Sequence, residues 1–157
     1  MTILLDNTVL TNFALIQRPE LIRLTFNEPV AMTTLIQQEF EIGVQTGQLA
    51  ACDWSWVSVI TLNSLELPQF NFLLTELDAG EASCLAVAQA RGYKIATDDK
   101  DARRWARQRG IPHTGTLGIL ARAVQKKVIS LVEGNQLLQI MIASGYYAPI
   151  KSLDEIV

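Results

Sequence analysis

Short apolar runs alternate with stretches of helical periodicity along the whole sequence, and that order leaves few folds open. Ile3-Leu4-Leu5, Pro29-Val30-Ala31-Met32 and Lys94-Ile95-Ala96-Thr97 have the length and composition of buried strands, and Trp56 to Leu62 alternates as a strand does. Between them the spacing predicts helices over Val9 to Ile16 and Pro19 to Leu24. A third begins at a cap on Thr33 or Thr34, repeats Leu35, Ile36, Phe40 and Val44, and ends at Gly47. Phe70 to Glu76 and Asp78 to Arg91 follow, the latter stopped by Gly92. Lys100 to Arg109, Leu117 to Lys127 and Glu133 to Ser144 read as three more helices, with Ile111 to Thr114 a short extended piece between the first two. Strands separated by helices imply a mostly parallel sheet covered on both faces, because a parallel pair needs a crossover that a helix supplies. The expected class is α/β, with any site at the carboxyl ends of the strands.

A chain of 157 residues with 49% hydrophobic content fills one core, and the absence of repeats, low-complexity tracts and linkers makes residues 1–157 a single domain. The first apolar run stops at Asp6 and carries no basic flank, and no stretch approaches the roughly 18 consecutive apolar residues of a membrane span. The expectation is a cytoplasmic protein without a membrane partner. Cys52 and Cys84 stand far apart among apolar neighbours, so they form neither a disulfide framework nor a zinc site and read as reduced packing residues. A net charge of −3 speaks against a nucleic-acid partner, yet residues 91–127 hold ten of the thirteen Lys and Arg and only three acids. That segment is positive while the remainder is strongly negative, so a polyanion is attracted to one face alone.

Two acidic signals fall at strand ends: Asp6 after the first apolar run, and Asp98-Asp99 after Ile95-Ala96-Thr97. Glu39 borders the buried stripe of its helix, one turn after Leu35 and Ile36, whereas Glu41 lies on the far side. Glu81 opens the helix that follows Asp78-Ala79-Gly80. Four carboxylates gathered together remain ionised only if a cation neutralises them, and Mg²⁺ or Mn²⁺ suits an all-oxygen donor set. Each acid also has a plainer reading. Asp78 and Glu81 match a D-x-x-E capping box, Asp98 or Asp99 can cap the next helix, Asp6 can cap the first, and Glu39 can be a boundary charge.

The helix after the acidic pair carries Lys100, Arg103, Arg104 and Arg107 paired at i,i+4. This stripe is either solvated or a contact for backbone phosphates beside the acids, and Arg122, Lys126 and Lys127 would extend it. His113, the only histidine, receives no role. Gly115-Thr116-Leu117-Gly118 reads as a helix start with Thr116 as its cap, whose N–H groups suit a phosphate.

Leu5-Asp6-Asn7-Thr8-Val9-Leu10, Ile36-Gln37-Gln38-Glu39, Leu77-Asp78-Ala79-Gly80-Glu81-Ala82, Thr97-Asp98-Asp99-Lys100-Asp101-Ala102-Arg103 and Gly115-Thr116-Leu117-Gly118-Ile119-Leu120 stand in an order and spacing that resemble PIN-domain proteins. The resemblance is to the branch of nucleic-acid-binding members related to VapC-type toxins. It implies a Rossmann-like α/β/α sandwich, divalent-metal-dependent hydrolysis of RNA phosphodiesters, and a homodimer; an antitoxin partner is implied for toxin members only. Carried over by position, the family acids fall on Asp6, Glu39, Glu81 and Asp99, with Asp98 a competitor of Asp99 and Asp101 an auxiliary acid. The chain departs from the family where Glu81 stands for the usual Asp, where Asn7 separates Asp6 from Thr8, and where Ala102 replaces a common Phe.

A phosphotransfer receiver would need an acceptor Asp on a middle strand and a Lys after the last, and a haloacid-type phosphatase an acid at Thr8. The remaining alternative is a catalytically inactive module with the same fold that binds nucleic acid or a partner.

Overall fold

The computed structural model describes residues 1–157. Five strands, β1 (Ile3–Leu5), β2 (Val30–Thr33), β3 (Ser58–Ile60), β4 (Lys94–Ala96) and β5 (His113–Thr114), form one sheet in the order β3-β2-β1-β4-β5. Every pairing is parallel. Ile3, Leu4 and Leu5 are all fully buried although successive side chains of a strand point to opposite faces, so helices must cover both sides of the central strand.

Eight helices do so: α1 (Asn7–Leu15), α2 (Glu20–Thr25), α3 (Thr34–Gln45), α4 (Leu67–Leu73), α5 (Ala79–Arg91), α6 (Lys100–Gln108), α7 (Thr116–Gln125) and α8 (Leu131–Ala143). α5 packs on α3, α4 and α6 and lies against β1, β2 and β4, while α7 packs on α2 and α8. The run Ala82-Ser83-Cys84-Leu85-Ala86-Val87-Ala88 explains how α5 approaches the sheet so closely: most of its buried side chains are small. Its buried Ser83 is satisfied by the Thr33 hydroxyl at 2.7 Å, which ties α5 to the end of β2.

α3 begins at Thr33, whose hydroxyl accepts the Ile36 N–H, and α5 ends at Gly92 in the left-handed conformation that glycine tolerates. Elsewhere the boundaries differ from expectation. Only Ser58–Ile60 of the Trp56 to Leu62 stretch joins the sheet, since this edge strand has a single neighbour. α4 starts at Leu67 rather than Phe70 because Pro68 is preorganised for a first turn, and it stops at Leu73. α8 starts two residues early because Ser130 caps it through the Glu133 N–H. The 3-10 turn at Leu153–Glu155 was not expected; Leu153 is buried and its N–H donates to Asn135 at 2.7 Å. No helix is long and apolar enough to cross a membrane, and Cys52 and Cys84 are both free thiols.

Candidate functional site

From β1 the chain winds outward to β2 and β3, whereas β4 returns to the other side of β1 and leads to β5. The winding reverses between β1 and β4, and in open parallel sheets a crevice forms at that point beyond the strands' carboxyl ends. Asp6 directly follows β1, and Thr97, Asp98 and Asp99 directly follow β4. Leu5 is in register with Ala96, and the Asp6 N–H donates to the Ala96 carbonyl at 2.9 Å, so Asp6 and Thr97 stand side by side.

Asp6 is 3% exposed and occupies the N-cap position of α1, yet its side chain makes no capping bond. Its Oδ2 instead accepts the hydroxyls of Thr97 at 2.6 Å and Thr8 at 3.2 Å. Burial pushes its pKa up to about 6 against those two donors, with the negative charge of Asp78 adding to the rise. The intervening Asn7 therefore does not cost Asp6 its hydroxyl partner. Thr8 also accepts the Asp98 N–H at 2.9 Å, joining the two strand ends.

Glu81 sits in the first turn of α5. Asp78 caps its N–H at 2.9 Å, but the reciprocal bond of a capping box is not formed and the Glu81 carboxyl lies beside Asp99. Loss of water, then the charges of Asp78, Asp99 and Asp6, hold its pKa well above the carboxylate range. Glu39 approaches from α3, accepting the Asn7 amide at 3.3 Å. Partial loss of water raises its pKa, followed by the charges of Asp78 and Asp6. Asp99 both caps α6, through Ala102 N–H at 2.8 Å, and faces Glu81.

A Cβ on Gly80 would stand 2.5 Å from Glu39 Oε2 and 2.8 Å from Ile36 Cδ1, so the missing side chain lets α5 and Glu39 share this space. Both atoms are ends of flexible chains. Gly80→Ala is therefore expected to alter stability by less than about 1 kcal/mol, because helix propensity offsets the displacement. It should turn Glu39 aside, and where the acids take Mn²⁺, as the family resemblance implies, weaken that binding by about 10-fold or more, as other changes around metal ligands do. Paired urea denaturation and titration calorimetry check both halves.

No group of three or more His, Cys, Asp or Glu side chains lies close enough to hold a metal ion as it stands. The donor set still fits a hard divalent cation. It is made of oxygens only, Asp6 and Asp78 raise the pKa of Glu39 and, with Asp99, that of Glu81, and Asn7 Oδ1 is buried next to them without a hydrogen-bond donor. Ligation requires side-chain rotation, which the exposed Glu39 is free to make. Covalent catalysis has no candidate. Burial pushes the Cys84 thiol far up, and the His113 ring nitrogen Nδ1 is engaged with the Ile111 carbonyl at 3.0 Å.

Asp98 and Asp99, indistinguishable by position in the sequence, have different partners. Asp98 Oδ1 accepts the Thr116 N–H at 2.8 Å, and its Oδ2 accepts the Thr116 hydroxyl and the Asn12 amide. Its carboxylate is thus spent on anchoring the start of α7. Thr116 is a correction: it is fully buried, Gly115 rather than Thr116 is the N-cap, and neither its hydroxyl nor its N–H is free for a phosphate. Asp101 does not join the acids either, since it is exposed and paired with Arg104 at 3.1 Å.

The basic stripe is also divided. Arg103 turns inward to donate to the Thr97 carbonyl at 3.0 Å, while Lys100, Arg104 and Arg107 remain exposed. Arg122 lies over the Phe26 ring and Lys126 donates to the Thr25 carbonyl at 2.6 Å, so these two pack beside α2 and do not extend the stripe on α6. In the sequence Asp78 reads only as a cap and Thr8 only as the hydroxyl residue that Asn7 separates from Asp6, while Asn12 and Thr97 receive no role; Thr97 has a legible signal, a hydroxyl between a buried strand and two acids.

Among solved structures, the chain is similar to VapBC2 from Rickettsia felis bound to a DNA fragment from their promoter, at 14% identity and a TM-score of 0.57, covering 73% of this chain and 98% of that one. It is similar to VapBC-1 from nontypeable Haemophilus influenzae at 13% identity and a TM-score of 0.53, with the same coverage. At such identity the likeness is one of fold. Among curated proteins, none matches. The family model described as PIN domain matches residues 2–157, the whole length that carries the sheet, the crevice and its acids, and the chain belongs to the PIN-domain family.

Proposed function

We propose that this chain is a divalent-metal-dependent endoribonuclease that hydrolyses RNA phosphodiester bonds at the crevice between β1 and β4. One observation carries the reading: Asp6, Glu39 and Glu81, from three separate elements, meet at the strand ends, where Asp6 and Asp78 raise the pKa of Glu39 and, with Asp99, that of Glu81. Asp6, Glu39, Glu81 and Asp99 would hold Mg²⁺ or Mn²⁺. When bound, such an ion supplies an activated water and neutralises charge on the transferring phosphate.

The chain's own groups do the rest. Thr97 and Thr8 fix the Asp6 carboxylate, and the cap to Ala102 fixes Asp99 through Oδ1. Lys100, Arg104 and Arg107 draw backbone phosphates toward the crevice mouth without reading sequence. In this reading the chain acts as a homodimer, and membership among VapC-like toxins would add an antitoxin partner, which the likeness to two VapBC structures supports.

The expected result is cleavage of single-stranded or structured RNA with Mg²⁺ or Mn²⁺, stopped by EDTA. Cleavage that survives EDTA overturns the reading. The second reading, an inactive module that binds nucleic acid or a partner, is favoured by the acids not being closed into a ligand set. Asp99→Asn separates the two: in a nuclease cleavage is lost while RNA binding persists, whereas a module shows binding and no cleavage in either form.

A further inference from the structure

From Asp99 and Lys100 a polar hollow of about 570 Å³ extends beside the acids to the turn after α8, a wall to which the nuclease reading assigns no part. Thr8, Thr11 and Asn12 of α1 line it on one side, Asp98 to Asp101 on another, and the turn after α8, Ser144 to Tyr147, closes it. Gly145 makes that turn with φ at 115°, a conformation other residues resist. Tyr146 then packs half-buried against the core, its N–H donating to the Met141 carbonyl at 3.0 Å. With Tyr146 anchored, Tyr147 is carried outward, and 82% of it is exposed.

Tyr147 is not a stray surface residue. Lys100 Nζ stands 5.5 Å from its ring centroid and covers one face, leaving the other face open at the rim of the hollow. An open aromatic face beside a cation accommodates a nucleobase, because every base has a π-face to stack. Without a bound cation the acids of the hollow repel phosphate from its floor. A strand must therefore run its backbone along the rim, where Lys100 stands, and turn a base inward, which a paired base cannot do without leaving its duplex.

We propose that Tyr147 and Lys100 form a stacking subsite for one unpaired nucleobase next to the acid cluster, so that the chain takes single-stranded RNA there in preference to duplex. The inference rests on the nuclease reading only for the identity of the polymer.

The test is equilibrium binding in EDTA, read by fluorescence anisotropy, of a short labelled single-stranded RNA and of the same RNA annealed to its complement. The exposed position lets Tyr147→Ala fold as wild type does, and Tyr147→Phe keeps the ring. The expected result is single-strand affinity about 10-fold weaker in Tyr147→Ala and unchanged in Tyr147→Phe, within the range for one base on one aromatic, and unaltered duplex affinity. Equal affinity of wild type and Tyr147→Ala overturns the subsite, as does an equal loss for duplex or no binding of either RNA by wild type. A Tyr147→Ala variant that loses self-association in sedimentation with its RNA affinity intact assigns the surface to a protein contact and also overturns it. Cleavage by both forms with unchanged preference for single strands sinks the subsite and leaves the nuclease standing. Tyr147-dependent binding without cleavage in Mg²⁺ or Mn²⁺ does the reverse.

Discussion

Under the proposed nuclease function, an Asp6→Asn protein is expected to lose metal-dependent cleavage by more than about 100-fold, exceeding what changes around a metal ligand cost, and yet to unfold at a higher temperature than wild type in EDTA. The two effects share one cause. Asp6 is buried, its folded pKa stands at about 6, and Glu39, Asp78 and Glu81 add negative charge nearby. A carboxyl whose folded pKa is raised contributes its full stability below the unfolded value of about 4 and loses it as pH rises through the folded value. Ionised Asp6 therefore weakens the metal-free fold by an amount on the order of 3 kcal/mol above pH 6. The amide keeps an oxygen to accept the Thr97 and Thr8 hydroxyls and carries no charge. Each kcal/mol moves the midpoint of a domain this size by about 2–4 °C, so scanning calorimetry in EDTA resolves the gain. The gain should shrink as pH falls from about 6 to about 4, where wild-type Asp6 takes up its proton. A variant less stable than wild type at every pH would show that the carboxylate is held by favourable contacts and is not waiting for a cation.

Much of the acid site was legible because it sits where secondary structure punctuates the chain. Asp6 ends a wholly apolar run and Asp98-Asp99 follow the strand Lys94–Ala96 and Thr97, so a parallel sheet alone brings them to one edge. Glu39 was legible from its turn-by-turn relation to Leu35 and Ile36. What stayed hidden depends on partners distant in sequence. Asp98 differs from Asp99 through Asn12, 86 residues away, and through Thr116. Thr116 looked available because a Gly-Thr-Leu-Gly segment says nothing of what covers it, and the cover is Asp98 with Asn12. The basic helix shows the same limit: i,i+4 spacing places Arg103 and Arg107 on one face, but the nearby Thr97 carbonyl takes Arg103.

Arg91→Met is the second change with a large expected effect, and it tests a contact that no local pattern announces. Glu66 precedes α4 and is 1% exposed; Arg91 ends α5 and grips it with Nε–Oε2 at 2.6 Å and Nη2–Oε1 at 3.0 Å. Arg91 also donates to the Thr61 carbonyl at 3.1 Å, and the Asn63 N–H donates to Glu66 at 2.8 Å, so the pair closes the loop before α4 onto α5. Removing the guanidinium leaves a buried carboxylate with one backbone donor, which costs about 3–5 kcal/mol at neutral pH. Arg91 holds the Glu66 pKa below the usual range, so in wild type this contribution is complete above the unfolded value near 4.3 and fades as pH falls through the folded value. In Arg91→Met the slope reverses, because a buried acid without its cation is stabilised by protonation. Glu66→Gln combined with Arg91→Met should recover part of the loss by removing the stranded charge, with a coupling of about 0.5–3 kcal/mol. Urea denaturation across pH measures both slope and coupling; a loss below about 1 kcal/mol, or an unchanged slope, refutes the assignment. Because Arg91 stands ten positions along α5 from Glu81, about 15 Å at 1.5 Å per residue, the proposed RNA cleavage, measured per folded molecule, should stay at the wild-type level while stability falls.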